Sequence, residues 1–136
     1  MKILIDTNVA LDYMAARQPH YHNARRLLLI PPDVCAKYIS VKQLADLFYL
    51  AKKAGKPRAD AMSDLVKLSR IARVISMTGE DFMGAVASEM IDFEDALLAF
   101  CAKRHGLDYI VTRNAKDFSH SPVEALSPAD FLGGME

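Results

Sequence analysis

The sequence of 136 residues has no excess charge of either sign, since 17 Lys and Arg are matched by 17 Asp and Glu. That balance argues against a protein that coats nucleic acid by bulk electrostatics, although it leaves room for a local basic rim around an acidic site. Cysteine is scarce: Cys35 and Cys101 fall in apolar segments without paired spacing, so the expectation is two buried free thiols in a reducing compartment rather than a disulfide framework. No apolar run approaches the ~20 residues of a membrane span, and Asp6 interrupts any apolar core of a signal peptide. Internal repeats, low-complexity tracts and linkers are missing as well. His20, His22, His105 and His120 fit no ligand spacing. What these absences leave is a cytoplasmic protein, with residues 1–136 forming one domain. Half of the residues are apolar (51%) and a quarter charged (25%), enough to build a real core.

Within that frame the amino end stands out. Ile3, Leu4 and Ile5 form a short apolar run that suits a strand buried on both faces of a parallel sheet, and the run stops at Asp6. In doubly wound folds ligands lie beyond the carboxyl ends of strands, so an Asp at that point faces a crevice. Thr7 and Asn8 suit the start of a helix over Val9 to Met14. Pro19 fits the first position of a second helix, whose inner stripe is Tyr21, Ala24, Leu27 and Leu28 and which Pro31 and Pro32 end. Val34 to Ile39 reads as a strand, and Ser40 caps a helix from Val41 to Ala54 with Asp46 in its first half. Arg58 to Ala72 is helical and Arg73 to Met77 a third strand. Thr78 with Asp81 opens a helix through about Met90 in the manner of a capping box.

The following helix begins with three acids, Asp92, Glu94 and Asp95, ahead of the body Ala96 to Ala102, which is apolar on nearly every face. Asp92 is a good N-cap, and a helix N-terminus favours acids, but a third acid exceeds what capping needs. Tyr109 to Thr112 is a fourth strand that runs into Arg113, Asn114, Asp117 and Phe118. Ala125 and Leu126 add a short edge strand, and Ser127 with Pro128 starts a last helix. The alternation gives an α/β fold: a three-layer α/β/α sandwich around a mainly parallel sheet of four to five strands.

Four acids, Asp6, Asp46, Asp95 and Asp117, then fall on one sheet edge. Gathering them is unfavourable, because two unit charges ~4 Å apart repel by about 4 kcal/mol at an effective dielectric of ~20. A cation relieves this, and an all-oxygen donor set without His or Cys selects Mg²⁺ or Mn²⁺ over Zn²⁺. A hard cation held by a few carboxylates is the equipment for phosphodiester hydrolysis.

The segments Ile3 to Asn8 (with Leu-Ile-Asp-Thr-Asn), Ile39 and Ser40 before an apolar helix, Asp92 to Leu97 (Asp-Phe-Glu-Asp-Ala-Leu) and Ile110 to Phe118 (Ile-Val-Thr-Arg-Asn-Ala-Lys-Asp-Phe) resemble, in order and across essentially the whole chain, the PIN domain, in particular VapC-like ribonucleases. The resemblance implies a metal-dependent endoribonuclease, the toxin of a toxin–antitoxin pair, that forms homodimers. Asp6 and Asp95 correspond to the principal metal ligands and Asp117 to the acid of the final motif. Asn8, Ser40, Thr112 and Asn114 match polar positions that order ligands, water or backbone. Asp46 departs from the family pattern, where Glu is common, and its shorter side chain implies contact through water. Arg113 and Lys116 flank the site and either meet RNA phosphates or form a solvated pair beside a loop. Phe48, Phe93 and Phe100 read as core. A PIN-like module that binds RNA or a partner without cutting is the alternative. A phosphoacceptor domain would need a mid-chain strand ending in Asp and a late strand ending in Lys, and a haloacid-dehalogenase-like phosphatase a second Asp where this chain has Asn8.

Overall fold

The computed structural model describes residues 1–135. In chain order the elements are β1 (Lys2–Ile5), α1 (Thr7–Met14), α2 (Tyr21–Leu28), β2 (Ala36–Ser40), α3 (Val41–Lys53), α4 (Arg58–Ile71), β3 (Ala72–Ile75), α5 (Gly79–Ala87), α6 (Phe93–Arg104), β4 (Tyr109–Val111), a 3₁₀ turn (Ala115–Phe118), β5 (Glu124–Leu126) and α7 (Pro128–Gly134). The five strands form one sheet in the order β3-β2-β1-β4-β5. Every neighbouring pair is parallel, so the sheet is wholly and not just mainly parallel.

β1 is the central strand, and its three apolar side chains are fully buried. Alternation along the strand divides them between two cores. Ile3 and Ile5 pack with Val9 of α1, Leu27 of α2, Leu47 of α3, Leu68 of α4 and Phe131 of α7. Leu4 turns to the other face, where Leu98, Ala99 and Ala102 of α6 meet Ile110 of β4. Helices therefore cover both faces, and each fully buried Leu or Ile contributes roughly 1.5–3 kcal/mol. The all-round apolar character of α6 has a direct cause, for the sheet covers one side and α5 lies against it. That approach is close enough that a Cβ on Gly84 would stand 2.4 Å from the Phe100 ring.

Several boundaries differ from the sequence reading. Pro19 follows a cis peptide bond within a turn, and His20 rather than Pro19 precedes the first residue of α2. Val34 is half-exposed in the turn before β2, whereas Ser40 joins β2 because Ile75 pairs with it. β3 starts at Ala72, in register with Lys37, and stops at Ile75. α5 ends at Ala87, where the Ser88 hydroxyl turns the chain by accepting the Met90 N–H at 3.1 Å. Among the described residues no helix is long and apolar enough to cross a membrane.

The strand order fixes where a site can form. β1 leads outward to β2 and β3, and the chain then returns to place β4 and β5 on the opposite side of β1. The crevice at such a reversal lies beyond the carboxyl ends of β1 and β4.

Candidate active site

At that crevice the backbone N–H of Asp6 donates to Val111 O at 3.0 Å, the last rung between β1 and β4. Asp6 then leaves the sheet as the N-cap of α1, with Oδ1 accepting the Thr7 N–H at 2.7 Å. Its Oδ2 accepts the hydroxyl of Thr112, the first residue past β4, at 2.6 Å. Both oxygens are thus aimed by the ends of two strands. Asp6 is 7% exposed, and burial pushes its carboxyl above the ordinary range against the opposing pull of Thr112, Thr7 and the more distant Arg113 charge.

A second tie crosses from β1 to α3. Ser40 accepts the Gln43 N–H at 3.2 Å while Gln43 Oε1 accepts the Ser40 N–H at 2.8 Å, closing a capping box. The other end of the Gln43 carboxamide donates to Ile5 O at 2.7 Å and to the Thr7 hydroxyl at 3.3 Å. Gln43 was not among the residues singled out from sequence, although Ser-Val-Lys-Gln carries the capping-box spacing that marks it.

α6 supplies the next acids. Asp92 caps the helix through Oδ1, which accepts the Asp95 N–H at 2.9 Å, so the Asp95 side chain is not spent on capping. Burial first, and then the charges of Asp92, Asp6, Asp117 and Glu94, push the Asp95 carboxyl up to about 7. Asp117 comes from the 3₁₀ turn, whose neighbour Phe118 is anchored in the core beneath α6.

An open cleft of about 500 Å³ follows, in which, among the described residues, Asp6, Asp46, Asp92, Glu94, Asp95 and Asp117 face a single cation, Lys42. Asn8 and Asn114 are also on the wall. Ser40 and Thr112 are fully buried and act on the site through Gln43 and Asp6. Asp46 differs from the other acids because Lys42 Nζ donates to it at 2.7 Å and stands 3.8 Å from Glu94. Arg113 is no solvated rim residue: its Nε lies 2.7 Å from Oδ2 of Asp12, a buried acid of α1 that no local pattern singles out. Phe93 is half-exposed, edge-on to Phe82 at 6.0 Å, instead of entering the core.

The donor set is compatible with a hard divalent cation. It is all oxygen, it carries far more negative than positive charge, and the buried Oδ1 of Asn8 has no hydrogen-bond partner. Among the described residues no three acid, imidazole or thiol groups are already drawn together as a ligand set. Like charges hold one another off across the cleft, consistent with the raised Asp95.

A family model described as PIN domain matches residues 2–116. No curated protein matches the sequence. Among solved structures, the chain is similar to a toxin–antitoxin complex from Klebsiella pneumoniae at 26% identity and a TM-score of 0.72, covering 93% of this chain and 97% of that one. It is similar to VapBC2 from Rickettsia felis bound to a DNA fragment from its promoter, at 21% identity and TM-score 0.72, covering 93% and 98%. It is also similar to VapC20 from Mycobacterium tuberculosis, a sarcin–ricin loop cleaving toxin, at 20% identity and TM-score 0.63, covering 79% and 86%. With the sheet order and the acidic crevice already in place, the match over residues 2–116 shows that this chain belongs to the PIN domain family.

Proposed function

We propose that the protein is a Mg²⁺- or Mn²⁺-dependent endoribonuclease, the toxin of a toxin–antitoxin pair. The observation that carries this reading is the cleft at the β1–β4 reversal, where Asp6, Asp95 and Asp117 share one wall system with too little positive charge to balance them. Asp6, Asp95 and Asp117 would hold the metal, with Asp46 and Asn8 at its margin. Bound there, such an ion neutralises charge on phosphoryl oxygens and makes a water nucleophilic at neutral pH. The chain's own part is positional. Thr7 and Thr112 fix both oxygens of Asp6, Gln43 joins β1 to α3, and Asp92 frees the Asp95 carboxyl by capping in its place. No Ser, Cys or His nucleophile is required.

The similar complexes from Klebsiella and Rickettsia support a cognate antitoxin as partner. Residues 1–136 act as one domain in the cytoplasm, where the buried thiols of Cys35 and Cys101 stay reduced. A homodimer is supported by the apolar side chains that the fold leaves exposed on α5 and at the start of α6, Phe82, Met83, Val86 and Phe93, and by Ile91 between the two helices. Sedimentation at micromolar concentration should show a dimer, and a monomer alone would refute it.

Cleavage of mixed RNA in Mg²⁺, Mn²⁺ and EDTA tests the activity, with cutting expected only in the metal buffers. Melting curves run alongside give a second readout. At ~100 times its dissociation constant an ion that binds only the folded state adds about 2.7 kcal/mol, a rise of several degrees. No cleavage in any buffer together with no metal-induced rise would remove the proposal.

A further inference from the structure

Next to the acidic cleft, and sharing Asn114 with it, is a second cavity of about 280 Å³ between the turn before α2, the segment after β4 and the start of α7. Its lining is the converse of the cleft's. It contains no carboxylate, and its polar side chains are His20, Asn23, Arg113, Asn114 and Ser127. Ser127 is occupied as the cap of α7, accepting the Asp130 N–H at 3.1 Å. Arg113 is ion-paired with buried Asp12: its Nε stands 2.7 Å from Oδ2 without hydrogen-bond geometry, and a terminal nitrogen donates to Oδ1 at 3.4 Å. Arg17, outside the cavity, has its Nε 3.7 Å from the same carboxylate, so one Asp12 is shared between two guanidinium groups. The side chains of His20, Asn23 and Asn114 have no partner among the described residues.

An acidic cleft repels the backbone of the substrate it is meant to cut. Six carboxylates against one ammonium cannot draw in a polyanion, so the energy for placing the strand has to come from groups beside the reacting centre. The second cavity supplies them: a guanidinium, an imidazole and two carboxamides, the donor types that meet phosphate and sugar oxygens, with no carboxylate in the lining. We propose that this cavity is a strand subsite that holds the ribose-phosphate adjoining the scissile phosphodiester, with Asn114 as the wall over which the strand passes. The proposal rests on the ribonuclease reading of the cleft and extends it from chemistry to substrate placement. The small volume admits a ribose-phosphate of a single strand and not a duplex, in keeping with the single-stranded regions that proteins read in RNA. Asp12 is a positioning residue here. From within α1 it keeps the Arg113 guanidinium from turning into the acidic cleft.

The test uses the full chain, ¹⁵N-labelled and kept in EDTA so that nothing is cut, titrated with a mixed-sequence single-stranded RNA decamer. Amide shifts at His20, Asn23 and Asn114 are expected. Arg113→Ala would strand the buried Asp12 charge and risk the fold, so the variant is His20→Ala with Asn23→Asp, both at solvent-reached positions, checked by its melting curve. In Mg²⁺ it should raise KM for the decamer at least about fivefold with kcat within about twofold, the pattern of lost uniform binding. Inorganic phosphate forms a third arm. Equal affinity for phosphate and decamer would make this a free-anion site and overturn the proposal, as would the absence of shifts at the three residues or an unchanged KM. A protein that binds the decamer at these residues yet cuts nothing would support the subsite and overturn the nuclease reading. One that cuts normally without these shifts would do the reverse.

Discussion

Asp81 and Asp95 stand on adjoining helices, α5 and α6, and both are drawn out of bulk water, yet their surroundings push them in opposite directions. Asp81 is 1% exposed, and burial alone would raise it. Hydrogen bonds from Arg104 and from the Thr78 N–H outweigh burial and hold the carboxyl below its ordinary value. Arg104 Nε meets Oδ1 at 2.9 Å and a terminal nitrogen meets Oδ2 at 3.0 Å, a forked pair that leaves neither oxygen wanting. Asp95 has no such partner. Its neighbours are Asp92, Asp6, Asp117 and Glu94, and it rises to about 7. Asp12, on the other side of the sheet, also has a cationic partner, Arg113, whose Nε stands 2.7 Å from its Oδ2, though without the fork's hydrogen-bond geometry. Among the described residues the fold thus pairs the buried Asp81 and Asp12 with guanidinium groups and leaves Asp6 and Asp95 at the β1–β4 crevice without one. A local charge left uncompensated where ligands enter is a functional signal, since elsewhere the same chain pairs its buried acids.

The strongest way to break this contrast is Asp95→Asn. If the acid serves a metal, RNA cleavage should fall more than about 100-fold, the upper end of what losing even an indirect ligand contact costs, and the metal-induced melting shift should vanish. The apo protein should become more stable, because a repelling charge is gone. Asp6→Asn should lose activity likewise. If Asp95 were a cap instead, Asn would serve nearly as well and activity would persist. An Asp95→Asn protein that cuts at the wild-type rate would end the mechanism.

Arg104→Ala probes the paired acid and should act in the opposite direction on stability. It leaves Asp81 ionised and buried without its fork, at a cost of about 3 kcal/mol, the low end for breaking a buried pair because Arg104 itself reaches water. Chemical denaturation measures this. A loss under about 1 kcal/mol would mean that the Thr78 N–H alone sustains the charge, contrary to the comparison.

The two acids also differ in how they couple folding to pH. Asp95 has its carboxyl raised from 3.8 to about 7, so between those values the folded state binds more protons than the unfolded one. Apo stability must then decline as pH climbs from about 4 to about 7 and level off above. Asp6, raised by burial, adds to the same trend. Asp81 has the contrary sign: its stabilisation is present above its unfolded value of 3.8 and is lost as pH falls through the lower folded value. Melting temperatures in EDTA between pH 4.5 and 8 should fall with rising pH, and more steeply than in Asp95→Asn measured alongside. Parallel curves for the two proteins would show that Asp95 is not the source.

How much of this was legible beforehand depended on the range of the interactions. The continuous apolar runs at Ile3–Ile5 and Ile110–Val111, each ending in polar residues, marked buried strands whose carboxyl ends meet, and the structure joins them through Asp6 and Thr112. Asp92 as a cap was readable for the same local reason. Strand order was not, because nothing in a strand of three or four residues names its neighbour. The Asp12–Arg113 pair was hidden too. Its members lie 101 residues apart, and Asp12 sits in a helical stretch that gives an acid no visible purpose until the chain is folded. Phe93 departs from the core expectation because an aromatic at helical spacing looks the same whether its face meets a core or, as here, lies half-exposed against Phe82.

The mildest expected effect belongs to Asp46, which stands between the two kinds of acid. It lines the cleft with the unpaired residues, yet Lys42, one helical turn before it, donates to it at 2.7 Å. Its side chain is 42% exposed, and such i,i+4 pairs on a helix contribute only about 0.3–0.5 kcal/mol. Asp46→Asn should therefore leave the melting temperature almost unchanged. Cleavage should drop by less than about tenfold, the lower end for a residue that reaches the metal through water. The change also frees Lys42, which lies 3.8 Å from Glu94 and can move fully to it, lowering the negative charge of the cleft in a second way. Adding Lys42→Ala separates the two contributions. If the double variant cuts as well as Asp46→Asn alone, the loss comes from the missing carboxylate. If it recovers, the displaced ammonium was competing with the metal. A fall in the single variant as deep as that of Asp95→Asn would place Asp46 among the direct ligands and erase its distinction from the unpaired acids.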